Sequence, residues 1–170
     1  MANTAISDIA AQIQASGGSE EIEPALGDGN AKAGECCYID PADGKAKGID
    51  GNSATAGLHF AGIMDRHAQV ALDTLITTAL VCNLLVPKSG RKYNVFIEDF
   101  GATAYKGTPL TFGQTTPGSL KGVATKAATG KITPTIALTG DAQDIVNEPV
   151  IAYLAKDVAN GDTVARVRWA

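Results

Sequence analysis

The sequence predicts an all-β fold, a small β-sandwich or β-barrel of short antiparallel strands with an N-terminal helix and an extended arm. Three observations lead there. Short apolar runs recur along the chain, each bounded by Gly, Pro, Asn or Asp turns. The 19 glycines and 7 prolines are spread over all 170 residues and are not gathered in one linker. Apolar residues make up 45% of the chain but aromatics only 5%, so the core is expected to be built from Ala, Val, Leu and Ile. A chain of this length supports one good core.

The elements follow in order. Ile6, Ile9, Ala10 and Ile13 recur at helical spacing, with Asn3 placed to cap and Gly17-Gly18 to end a helix over Thr4 to Ala15. Ser19 to Asn30 is polar, acidic and rich in turn residues, and is read as an extended arm. Residues 1–30 are therefore taken as helix and arm, and 31–170 as the β-domain. Within the domain, Glu35 to Asp40 and Lys45 to Ile49 read as strands joined by Pro-Ala-Asp-Gly. Leu58 to Met64 follows, with Leu58, Phe60 and Gly62 on one face and His59, Ala61 and Ile63 on the other. Over 65–78 the apolar residues would fit a helix, but Thr74, Thr77 and Thr78 favour a loop.

Ala79 to Val86 is nearly continuous apolar sequence, as in a strand buried on both sides. Pro87 to Gly90 then turns the chain into Tyr93 to Glu98, which predicts a hairpin. Strands are expected at Thr108 to Phe112, Leu120 to Thr125, Ile132 to Thr139, Pro149 to Ala155 and Asp162 to Trp169. The last alternates most clearly: Thr163, Ala165, Val167 and Trp169 face one way, and Val164, Arg166 and Arg168 the other.

Charge is unevenly placed. Residues 1–60 hold three lysines against nine acids, and residues 61–170 hold eleven basic against nine acidic residues. No basic run interleaved with aromatics points to nucleic acid. No stretch reaches the roughly 20 apolar residues of a membrane span. The N-terminus lacks the basic flank and apolar run of a signal peptide. Cys36, Cys37 and Cys82 are odd in number and two are adjacent, so reduced thiols and assembly in a cytoplasm are expected.

No catalytic, cofactor or metal site is expected. His59, His67, Asp65 and Asp73 lack a third ligand fixed by spacing. Glu98 and Asp99 are adjacent on a strand and point to opposite faces, so they do not form an acid–base pair. Asp28, Asp40, Asp43 and Asp50 match no calcium loop. Cys36-Cys37 has no base beside it in sequence. A Gly-x-Ser-x-Gly elbow, a phosphate-cradling loop and His-Glu-x-x-His are all missing. The residues that draw attention are candidates for an interface. They are the stripe Ile6, Ile9 and Ile13, the acids Glu20, Glu21 and Glu23, and the C-terminal Arg166, Arg168 and Trp169. For Trp169 core packing and an interface anchor both stay open. For the arginines a protein contact and a solvated edge both stay open.

Several segments carry a resemblance. VPKSGRKYNVFIED, YKGTPLTFG, PGSLKGVAT and the ending PVIAYLAKDVANGDTVARVRWA are similar to capsid decoration (structural cement) proteins of tailed bacteriophages. GECCYIDPADGKAKGID and LHFAGIM resemble that family's opening strands, so the likeness spans about residues 31–170. It implies a β-domain on the outer surface of the phage head, partnered by the major capsid protein and by other copies of itself. A trimer is favoured and a dimer remains open. The role implied is to resist internal DNA pressure, in a virion assembled in the host cytoplasm. Two alternatives stay in view. A tail or fibre domain binding a host receptor would show exposed loop aromatics, for which Phe100 and Tyr105 qualify. A β-barrel enzyme would need polar residues converging from distant strands.

Overall fold

The computed structural model describes residues 21–51, 57–71, 73–77, 80–123, 125–126, 132–133 and 149–170. The expected helix over 4–15, its stripe Ile6, Ile9 and Ile13, and Glu20 lie outside them, as does most of 132–139. The described chain is all β. Its strands are β1 (Glu21–Gly27), β2 (Cys36–Ile39), β3 (Lys45–Gly48), β4 (Phe60–Met64), β5 (Val81–Val86), β6 (Lys92–Phe96), β7 (Pro109–Phe112), β8 (Leu120–Gly122), β9 (Thr125–Lys126), β10 (Ile132–Thr133), β11 (Ala152–Leu154) and β12 (Val164–Trp169).

Two five-stranded sheets carry the fold, with β9 and β10 forming a separate pair. The first runs β1-β3-β2-β4-β5 and closes on itself, because β1 also pairs with β5. Five strands cannot close with every neighbour antiparallel, and the required exception is β1 with β3, which run parallel through Leu26↔Lys45 and Gly27↔Ala46. The second runs β6-β12-β11-β7-β8, with every pairing antiparallel. Its outer strands are drawn together by a parallel bridge between Ile97 and Leu120.

Two cores result. Ala25, Ala31, Cys37, Ala46, Met64, Ile76, Cys82 and Leu84 fill the closed sheet. A larger core gathers Tyr93, Val95, Val167, Leu154, Leu110 and Leu120 and reaches across to Cys36, Ile49, Ile63 and Leu85 of the first sheet. Strand alternation makes this possible: adjacent Cys36 and Cys37 serve different cores, and so do Ile63 and Met64. The 65–78 segment is loop throughout its described residues, and it buries Ile76 in the smaller core.

Four expectations need correction. The arm is not free from Glu21 onward: residues 21–26 pair with β5 along their whole length, so the boundary at residue 30 cuts through the barrel wall. The polar composition of 19–30 concealed this, because Glu21 to Pro24 are exposed while the backbone still pairs. Next, 79–86 and 93–98 do not form a hairpin. β5 pairs with β1 and β4, and β6 pairs with β12, so Pro87 to Gly90 carries the chain between sheets. β5 is also not buried on both sides, since Val81 is 60% exposed. Finally, a bulge breaks the alternation of β4. Cys37 pairs with Gly62 but Tyr38 with Phe60, so Phe60 turns onto the larger core with Ile63 while Ala61 packs toward the smaller one.

Candidate interface surfaces

The C-terminal strand lies inside its sheet and not at an edge, between β6 and β11. Its inward row is Ala165, Val167 and Trp169. Trp169 stacks on Phe60 at 5.2 Å between ring centroids and meets Tyr93 edge-on at 6.3 Å. It therefore packs on the chain's own core, and its partial exposure leaves only the rim available. The Tyr93 ring is fully buried, and its hydroxyl accepts the Lys88 N–H at 3.0 Å, which locks the turn into β6.

The outward row carries the two arginines. Arg166 is half-buried and donates Nε to Asn94 Oδ1 at 3.2 Å. Arg168 is exposed, with its guanidinium over the Tyr153 ring at 5.6 Å. Tyr153 is its cross-strand partner in the register. Both charges thus project from a rigid, doubly paired strand.

Glu21 and Glu23 stand on the same face of β1, opposite Val86 and Leu84 of β5. Both are exposed. The alternate row of β1 holds Ile22, 53% exposed, and Leu26, 43% exposed, the latter directly across from Val81. This is an apolar row on the barrel's outer wall. β1 pairs with β3 only through Leu26 and Gly27, so among the described residues Glu21 to Ala25 are paired with a strand on one side, β5. Pro24 and the two acids sit where an edge strand resists unwanted pairing.

Sequence reasoning missed the junction between the sheets. The β7–β8 turn inserts Gly118 against the first sheet: Cys36 N–H donates to Gly118 O at 2.7 Å, and Gly118 N–H to Ile49 O at 2.8 Å. Two buried carboxylates clasp this turn. Glu98 Oε1 accepts the N–H groups of Thr115 at 2.6 Å and Thr116 at 3.0 Å. Glu35 packs its side chain on Gly118, whose φ of +82° and missing Cβ are both required, since a Cβ there would lie 2.7 Å from Glu35 Cβ. Glu35 Oε2 accepts Lys32 N–H at 3.1 Å. Burial with so little hydrogen bonding pushes its carboxyl up to about 7, against smaller lowering effects from the Lys32 backbone and side-chain charge. Lys32 itself pairs with Asp73 and lies over the Phe96 ring at 4.4 Å. No spacing motif marks Glu35 or Glu98. The available hint was a Glu at the start of one apolar run, ECCYID, and at the end of another, YNVFIE.

Asp40 and Asp43 serve the β2–β3 turn. Lys47 Nζ lies 2.6 Å from Asp40 Oδ2 and 3.2 Å from Asp43 Oδ2, and its pKa is raised by those contacts. Asp40 is held below the usual carboxylate range by Lys47 and by Ala42 N–H. The three cysteines are buried free thiols, and burial pushes all three upward, Cys36 and Cys37 well above the usual thiol range. Cys37 Sγ donates to Glu35 O and Cys82 Sγ to Ala25 O. His59 is exposed, and His67 accepts Gln69 N–H at Nδ1. Among the described residues no three His, Cys, Asp or Glu gather as metal ligands. Phe100 is buried, so it is not an exposed loop aromatic; Tyr105, 68% exposed, is.

With this geometry in place, the chain can be set beside known proteins. No protein-family model matches it, and no curated protein does. A solved structure does: a chain in the capsid of Myoviridae phage XM1, at a TM-score of 0.51 and 14% identity, over 89% of this chain and 83% of that one. The fold resembles that of a phage capsid chain. At this identity the likeness concerns the fold alone and carries no residue roles.

Proposed function

We propose that the chain is a virion structural protein, and more specifically a decoration protein that binds the outer surface of a phage head and reinforces it, with no turnover of substrate. The observation that carries this reading is the likeness of nearly the whole fold to a chain of a phage capsid. The resemblance of the strand and turn segments to decoration proteins points the same way. The architecture suits the task. A closed sheet and a second sheet share the larger core and are stitched at Gly118, so load applied to one is transmitted to the other. A protein that binds only the assembled shell stabilises that shell by mass action, and many copies multiply the effect.

Particles lacking the protein should release DNA at a lower temperature than complete ones, and purified protein should restore the difference. Equal release temperatures for bare and complete particles would remove the reinforcing role.

A further inference from the structure

Two carboxylates stand apart from all others among the described residues. Asp40 holds Lys47, Asp73 holds Lys32, Glu98 holds two backbone N–H groups, and every other described carboxylate likewise has a partner within the chain. Glu21 and Glu23 have none among the described residues. On the second sheet, Arg166 and Arg168 meet an amide and a ring, and no described carboxylate.

We propose that the Glu21–Glu23 face of one copy docks on the Arg166–Arg168 face of another. Both pairs are spaced two residues apart on one face of a strand, so each presents its charges about 6.6 Å apart. Two ion pairs can therefore form in one register. The pairs belong to different sheets: the arginine row is held between β6 and β11, and the glutamate row is held by its register with β5. Tyr153, under Arg168, gives the receiving face a flat ring beside the charges. The contact joins unlike surfaces, so it reciprocates across a twofold axis or repeats head to tail in a closed ring or an open filament. Exposed ion pairs are weak singly and screened by salt, so association in free solution is weak and salt-sensitive. The contact concerns copies of this chain alone and is measured without any shell, so its fate and that of the decoration role are separable.

Sedimentation equilibrium of the full chain tests it. The dissociation constant should rise about tenfold or more from low salt to about 0.5 M sodium chloride. E21R/E23R and R168E should each weaken association by about tenfold. The variant E21R/E23R/R166E/R168E, with all four charges reversed, should return to within about threefold of the parent. If losing the Arg166–Asn94 bond unfolds that variant, E21R/E23R/R168E replaces it and should associate more tightly than E21R/E23R. A chain that stays monomeric at every concentration and salt would overturn the proposal, leaving Glu21 and Glu23 as guards of the β1 edge. Association indifferent to the single-sided reversals, or not regained on the second reversal, would overturn it too.

Discussion

Glu35 is where a single residue most affects the behaviour of the fold. Its carboxyl is nearly buried, accepts one described hydrogen bond, and titrates near 7 rather than near 4.5. Between those values the folded protein holds a proton that the unfolded chain has released. Stability contributed by the protonated form is therefore present in acid, and it is lost as pH rises from about 4.5 to about 7. Glu35→Gln should remove that slope, matching the parent at acid pH and exceeding it at pH 8 by about 2 kcal/mol. Urea titrations of both proteins across this range check the sign; a parent that gains stability over the same interval contradicts it. Trp169 is a second residue-scale case. The sequence left core packing and interface anchoring open, and the stack on Phe60 puts the ring in the core. Trp169→Ala should destabilise the isolated protein by about 3 kcal/mol, read as a lower Tm with no partner present. Odd number and the adjacency of two led to the expectation of reduced thiols at Cys36, Cys37 and Cys82. All three are buried, so thiol reagent should react slowly with the folded protein and find three groups after unfolding.

At the scale of elements, strands were readable and their partners were not. The alternation of Thr163 to Trp169 and the apolar run at 79–86 placed β12 and β5 correctly in the chain. Proximity in sequence then suggested that β5 pairs with β6, yet the two lie in different sheets. A turn such as Pro87 to Gly90 is compatible with either a hairpin or a crossover. What decides is where the inward rows find cores, and that is a long-range property. The β4 bulge shows the same limit: one extra residue moves Phe60 to the other face, and nothing in LHFAGIM announces it. The β7–β8 turn is the element whose loss should matter most, because it links the sheets. Gly118→Ala would strain a left-handed backbone and press on Glu35, and should cost about 2 kcal/mol or more. Hydrogen exchange should then quicken first at Cys36 and Gly118, whose N–H groups make the link. Unchanged protection at both would show that the turn is not a fastener.

For the molecule as a whole, the all-β class was legible from composition and turn spacing, and the closure of the first sheet was not. Closure depends on β1, and Glu21 to Pro24 look like arm because their side chains are exposed. Only the backbone register with β5 shows them to be wall. The candidate surfaces were named from charge and position, but their context was invisible. Arg166 and Arg168 project from an interior strand, and Glu21 and Glu23 line a half-open edge. Within the first 60 residues, Asp40 and Asp43 of the β2–β3 turn are gathered around Lys45 and Lys47. What reaches the surface unpaired is narrower than the sequence suggested.

The central claim is that this two-sheet molecule works by binding a phage head from outside. It is tested most directly by cryo-electron microscopy of bare heads incubated with the purified chain. Ordered density of this fold is expected at regular positions on the outer surface, absent from heads incubated without the protein. Heads that remain bare at saturating protein, or density confined to the tail, would contradict it.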